Sequence, residues 1–232
     1  MYHSVTFGDK NTYDDWNLAS TSMPIIQPPS VKSRSIGVPG KNGTLDVTEA
    51  ITGYPLFENR EGTLEFVMLD TSEDWTQKCT DISNYLHGQT LKLSLEDDPN
   101  WYYEGYFYVD ELKSEEYFST ISIGYVLYPF KRLIEEFSLP LFASTEYADY
   151  DFPAILIGRE PIIPKFEVQC TNDNGVHVKY YDKEKGTEKE VYLYNGTTET
   201  EDLMFYGNDL TLSLKCDYGY ATVTITFLIG AI

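Results

Sequence analysis

Cysteine, histidine and basic residues are the scarce components of this 232-residue chain, and each scarcity excludes a class of function. The three cysteines, Cys79, Cys170 and Cys216, are odd in number, widely spaced and without a C-x-x-C pair, which leaves no disulfide framework and no zinc or redox motif. They are expected to be buried thiols of a protein assembled in a reducing cytosol. His3, His87 and His177 sit in separate segments with no second ligand or base at a recognisable spacing. His87, beside Gly88, reads as a favourable cation at a helix C-terminus. No G-x-S-x-G elbow, H-E-x-x-H helix or phosphate loop occurs, so no catalytic residue, metal or cofactor is expected. Composition does leave open a carboxylate pair of the glycosidase kind.

Lysine and arginine total 17 against 37 acids, a formal charge of −20. The excess is spread evenly: 10 basic against 21 acidic residues through Glu135, and 7 against 16 beyond it. With no basic face left over, direct nucleic-acid binding through phosphate contacts is not expected. Long apolar runs are also missing, as is an N-terminal basic stretch followed by an apolar core, so membrane insertion and signal-led secretion are not expected. Acidic turns supply calcium-type residues at Asn172-Asp173-Asn174-Gly175, but consecutively and without the bidentate Glu of an EF-hand loop. That segment reads as a hairpin turn; Asp97-Asp98 and the cluster Glu199, Glu201, Asp202 are no better as ion sites.

What the chain does have is 42% hydrophobic residues, with aromatics at 15%, enough for a packed core. Strand signals dominate. Leu64, Phe66 and Met68 alternate with Thr63, Glu65 and Val67. One helix follows, capped by Thr71 or Ser72, with Glu73 and Asp74 in its first turn, Trp75, Cys79, Ile82 and Leu86 on one face, and Gly88 at its end. Leu91, Leu93 and Leu95 then lead through Asp97-Asp98-Pro99-Asn100 into Trp101 to Val109, a hairpin, and Tyr117 to Tyr128 adds a further strand. Residues 1–135 are thus expected to form an α+β domain with one helix on an antiparallel sheet.

Residues 136–160 carry Pro140, Pro153 and an acidic, aromatic run without a sustained period, and read as a connector. In residues 161–232, short strands at Lys165 to Gln169, Val176 to Tyr181, Lys189 to Tyr194, Thr211 to Lys215 and Ala221 to Leu228 alternate with turns, the pattern of a β-sandwich. The overall expectation is a mainly β protein. Trp101, Tyr102, Tyr103, Tyr106, Phe107 and Tyr108 put rings on both faces of one strand. Cross-strand packing, a subunit interface and sugar stacking all fit such a strand, with Trp101, Tyr103, Tyr106 and Tyr108 the candidate interface residues.

The densest local instructions lie in Ile36 to Arg60, IGVPGKNGTLDVTEAITGYPLFENR. Pro39-Gly40 and Asn42-Gly43 are turn dipeptides whose glycines suit positive φ. Asp46 with Glu49 has capping-box spacing, predicting a helical turn over Asp46 to Ile51 that Gly53-Tyr54-Pro55 stops. Val38, Pro39, Gly40, Gly43, Asp46, Thr48, Glu49, Ala50, Gly53, Tyr54, Asn59 and Arg60 together resemble the signature of phage distal tail proteins, ring subunits that join the tube of a long non-contractile tail to its tip. Phe7-Gly8-Asp9-Lys10 with Thr12-Tyr13-Asp14-Asp15-Trp16 is similar to that family's opening, and Pro129-Phe130-Lys131-Arg132 with Glu135-Glu136 to the segment closing its ring domain. Beyond Leu139 the likeness is one of layout.

The resemblance implies a non-enzymatic structural hub: a tube-like ring domain, a galectin-like C-terminal sandwich, and a hexameric ring, single or stacked, with DNA passing through it. Its partners would be copies of itself, the tail tube protein, the tail-tip protein and a receptor-binding protein, and its place the tail tip of a virion assembled in a bacterial cytoplasm. A lectin-like adhesion module and another tail-tube component are the rival readings. A galectin-type sugar site needs His, Asn and Arg donors beside an aromatic. The C-terminal half offers one His, His177, one Arg, Arg159, and no Trp, so no such site is expected there, although Tyr could supply a stack.

Overall fold

The computed structural model describes residues 3–50, 52–69, 74–114, 118–153, 158–171, 175–183, 186–207 and 209–232. The chain divides into two compact units, residues 1–131 with Ile232 and residues 132–231. Both are built of antiparallel sheet, and one α-helix occurs among the described residues, so the chain is mainly β as its sequence predicts.

Unit 1 contains β1 (Val5–Phe7), β2 (Lys10–Asn11), β3 (Leu18–Ser20), β4 (Ser35–Gly37), β5 (Thr44–Asp46), β6 (Arg60–Met68), α1 (Trp75–Leu86), β7 (Gln89–Leu95), β8 (Trp101–Ser114) and β9 (Ser119–Leu127). Seven of the strands make one sheet in the order β2-β1-β7-β8-β9-β6-β3, while β4 and β5 pair only with each other. Alternation decides which face is covered: Leu64, Phe66 and Met68 of β6 and Ile121, Ile123, Tyr125 and Leu127 of β9 are all buried. Ile82 and Leu86 of α1 join them in one cluster with Phe7, Leu93 and Phe107. Each such fully buried side chain contributes about 1.5–3 kcal/mol of transfer free energy. Phe7 sits centrally, edge-on to Phe107 at 5.1 Å and tilted against Trp16 at 6.1 Å. Where β8 and β9 pass closest, Gly105 lies against the backbone of Val126 and Leu127, leaving no room for a Cβ.

The helix starts from a different cap than expected. Asp74, not Thr71 or Ser72, is the N-cap, its carboxylate accepting from the amides of Thr76 at 3.0 Å and Gln77 at 3.4 Å. Thr71, Ser72 and Glu73 lie outside the described residues, as do Tyr117 and Asn172 to Asn174 of the strand and turn readings. At the helix end the backbone N–H of Val109 donates to His87 Nδ1 at 3.2 Å, which ties the C-cap residue to β8.

Beyond the boundary, β10 (Lys131–Leu133) is followed by β11 (Phe137–Ala143), β12 (Ala148–Phe152), β13 (Lys165–Cys170), β14 (Val176–Asp182), β15 (Thr187–Leu193), β16 (Gly196–Glu199), the 3-10 turn at Glu201–Leu203, β17 (Leu210–Cys216), β18 (Ala221–Phe227) and β19 (Gly230–Ala231). Two four-stranded sheets, β11-β18-β13-β16 and β12-β17-β14-β15, enclose one core. Phe166, Val168, Val223 and Ile225 come to it from the first sheet, Val176, Val178, Leu212 and Leu214 from the second. Phe205 fills the centre against Phe152 at 5.7 Å and Phe227 at 5.7 Å. The connector reading of residues 136–160 is therefore corrected: β11 and β12 lie within it and are integral edge strands, pairing with β18 and β17 along seven and five positions. The acids Glu201 and Asp202 open the 3-10 turn, where Thr200 Oγ1 caps the Asp202 amide at 3.3 Å.

The opening segment of unit 1 generates a pH prediction. Asp15 accepts from the Asn11 amide at 2.8 Å and from Lys10 Nζ at 3.0 Å, and these bonds, the amide first, hold its carboxyl below the ordinary 3.8. A lowered folded-state value means stability that is present above the ordinary range and lost as pH falls through the folded value. Asp15→Asn should lower the melting temperature at neutral pH, and the gap from the wild type should close as pH falls below the ordinary carboxylate range; thermal melts from neutral to acid pH check it.

Candidate functional site

Between β3 and β6 the chain leaves the unit 1 sheet and returns to it. Among the described residues from 27 to 59 none is buried, and every residue from 30 to 46 is exposed. The segment is nevertheless ordered by hydrogen bonds. Near its base the amides of Lys32 and Glu58 bond to the carbonyls of Leu56 and Ser30, each at 2.8 Å. Further out the Val47 amide bonds to Arg34 O at 2.8 Å, Thr48 Oγ1 accepts from the Arg34 amide at 2.9 Å, and β4 pairs with β5 from Ser35↔Asp46 to Gly37↔Thr44. Gly40 and Gly43 turn the tip at φ of 79° and 81°. Gly53, at φ 73°, turns the returning chain. The helical turn expected over Asp46 to Ile51 is replaced by hydrogen-bonded turns. Asp46 ends β5 and its carboxylate accepts from the Thr48 amide at 2.9 Å and from the Thr48 hydroxyl; Ile51 lies outside the described residues. Those bonds, the hydroxyl's first, hold the Asp46 carboxyl below its ordinary value.

The result is an arm with a backbone ladder but no core. Val31, Ile36, Val38, Leu45 and Leu56 are between 39% and 52% exposed. Apolar residues at that density, on paired strands with both faces in water, are unusual for a surface that stays free.

At the root, Arg60 is 4% exposed and ties three stretches of chain together. Nε donates to Pro129 O at 2.8 Å, one terminal nitrogen donates to Gln27 O at 2.9 Å, and the guanidinium lies 5.2 Å from the Tyr103 ring centre. The other terminal nitrogen is buried with no hydrogen-bond partner. Burial without a carboxylate lowers the Arg60 pKa from its ordinary value and raises those of Tyr103 and Tyr125. Phe57 and Phe130 close the same root, edge to face at 5.5 Å.

The four aromatics of β8 proposed as an interface separate. Tyr103 is 7% exposed, belongs to the unit 1 core and cannot offer contact surface; strand alternation places it with Gly105 and Phe107 on the covered face. Trp101 is half-buried under Lys131, whose Nζ is 4.9 Å from its ring and 2.6 Å from Asp98. Tyr108 lies across Gly124 on β9, a cross-strand packing. Tyr106, 42% exposed and 6.1 Å from Tyr108, remains as surface. Among the described residues no group of three His, Cys, Asp or Glu is placed to hold a metal. His3 pairs with Asp97 at 2.8 Å, and His177 lies between Glu190 and Asp217, each at 3.2 Å, so the histidines do not meet.

No protein-family model matches this chain, and no curated protein matches it by sequence. Its fold is similar to the crystal structure of Dit from phage SPP1, described as a paradigm of hub adsorption apparatus in phages infecting Gram-positive bacteria. The TM-score is 0.68 at 10% identity, over 99% of this chain and 100% of that one. At that identity the likeness shows a shared fold, the one that the Val38 to Arg60 resemblance implies.

Replacing Gly43 or Gly53 by Val should cost about 1–3 kcal/mol of arm stability, because a β-branched residue is strained at positive φ. Arg60→Lys should lower the melting temperature, since an ammonium cannot serve both carbonyls in the plane of the fork. Thermal melts and self-association measured on all three variants check these outcomes; wild-type values throughout would remove the arm's structural role.

Proposed function

We propose that this chain is a non-enzymatic ring subunit at the distal end of a long non-contractile phage tail, a hub between the tail tube and the tip proteins. The observation that carries this reading is the arm. Its hydrogen-bonded segment leaves apolar side chains 39% to 52% exposed, and a neighbouring copy presenting the same surfaces would cover them. A repeated contact of one patch with a different patch on the next copy closes into a ring when the rotation fits. Tyr106 on β8 adds exposed aromatic surface of the kind favoured at interfaces.

The fold likeness to a phage hub protein supports the same reading, as does the resemblance carried by Val38 to Arg60. In this account the ring is hexameric, single or stacked, and its neighbours are the tube protein, the tip protein and a receptor-binding protein. The charge of −20 suits a wall past which DNA slides without sticking. No helix among the described residues is long and apolar enough to cross a membrane.

Light scattering and electron microscopy of the purified chain test this proposal. Closed rings should form, favoured by moderate salt that screens like charges over about 8–10 Å. A variant in which residues 35–46 are replaced by a short Gly-Ser linker should remain folded and monomeric. A monomeric wild type at all concentrations and salts would overturn the reading.

A further inference from the structure

On the outer face of the sheet β11-β18-β13-β16 two large rings stand almost free in solvent, Phe142 at 67% and Tyr220 at 72% exposure. Phe142 lies between the buried Leu141 and Ala143 on β11, so alternation turns it outward, and Tyr220 lies one residue before β18, next to the buried Ala221. Register places Phe142 opposite Thr222, and Thr222 opposite Gln169, in one row across three strands. With Tyr150 and Thr171 these residues line a groove of about 580 Å³, within the size range of small-ligand sites. None of the residues lining it is charged, in a chain where 23% of residues are.

The backbone beneath both rings is fixed by bonds that leave the rings themselves free. Tyr150 Oη donates to Phe142 O at 2.7 Å and accepts from the Phe142 amide at 3.1 Å. Thr171 donates to Tyr220 O from its amide and its hydroxyl, both at 3.1 Å, and its hydroxyl accepts from the Tyr220 amide at 3.2 Å. Gln169 Nε2 donates to Glu167 Oε1 at 2.9 Å, which orients the amide and leaves its carbonyl oxygen and second N–H for a ligand. Single exposed rings are ordinary on protein surfaces, whereas two in one groove, each on an anchored backbone, form a prepared platform.

The chemistry of the groove selects its ligand. An anionic group finds no basic residue there and meets the Glu167 carboxylate beside Gln169, and a purely apolar ligand would leave the Gln169 amide and the Thr222 hydroxyl without partners. A neutral molecule with C–H faces and a rim of hydroxyls satisfies both kinds of surface. We propose that this groove binds a neutral saccharide, with Phe142 and Tyr220 stacking on its C–H faces and Gln169 and Thr222 bonding its hydroxyls. The constellation uses none of the His and Arg donors whose scarcity speaks against a galectin-type site.

The test is ligand-observed NMR and calorimetry on the full chain with chitotetraose, maltotetraose and a β-galactoside tetrasaccharide. At least one should bind with a millimolar or tighter Kd. Phe142→Ala and Tyr220→Ala should each weaken that binding about tenfold or more, as loss of a central aromatic contact does, without changing the melting temperature. Tyr194→Ala, a ring 73% exposed and outside the groove, should leave binding unchanged. No binding by any of the three sugars, binding that survives both groove substitutions, or equal loss in the Tyr194 variant would each overturn the proposal. Ring assembly is read separately, so the outcome is independent of the hub reading.

Discussion

Arg60 holds together three pieces of chain far apart in sequence: the departing arm at Gln27, its own strand β6, and Pro129 after β9. Burying a guanidinium carries a desolvation penalty of several kcal/mol in real proteins, and the lowered Arg60 pKa is the mark of it. Two carbonyls and the face of Tyr103 offset part of that penalty, while no carboxylate is used. A carboxylate partner would have made a local ion pair. Carbonyls instead make the clamp depend on the path of the backbone, so the arm can leave the sheet in one direction only. The arm's inner ladder, Lys32 to Leu56 and Glu58 to Ser30, starts next to that fixed root.

The two units spend their apolar residues differently. In residues 132–231 strands β17 and β18 place them inward in strict alternation, Leu210, Leu212 and Leu214 on one and Ala221, Val223 and Ile225 on the other, and the sandwich closes on Phe205. In residues 1–131 the sheet and helix enclose a core around Phe7, and none of the described residues from 27 to 59 is buried in it. The Val, Ile and Leu side chains that this segment leaves in water are the surface that the proposed ring contact would cover.

Much of this was legible in the residues because the signals are local. The five strands read from turn spacing in the C-terminal half lie within two residues of β13, β14, β15, β17 and β18, and the alternation of β6 and β9 names their buried faces. Strand β11 was hidden by Pro140, although Phe137, Leu139 and Leu141 alternate across it; an edge strand tolerates a residue with no N–H to donate. Asp74 was read as a first-turn acid and Thr71 or Ser72 as the cap, because all three are capping residue types within four positions and only the path of the chain selects among them. Tyr103 could not be sorted from Tyr106 and Tyr108 by composition, because both faces of β8 carry rings and the covered face is a tertiary fact. The arm's glycines announced their φ, but its lack of a core did not show in the sequence, nor did the exposure of Phe142 and Tyr220. Solvent exposure depends on what the rest of the fold leaves uncovered.

Amide hydrogen exchange of β4 and β5, compared between dilute monomer and concentrated assembly, tests most directly whether a second copy completes the arm. These strands pair only with each other and have no core behind them, so in the monomer they should exchange rapidly, near the low end of local opening free energies. In the assembly they should become protected together with the exposed surface of Val31, Ile36 and Leu45, while the cores of both units are unchanged. Equal exchange of Ser35–Gly37 and Thr44–Asp46 in the two states would contradict the account.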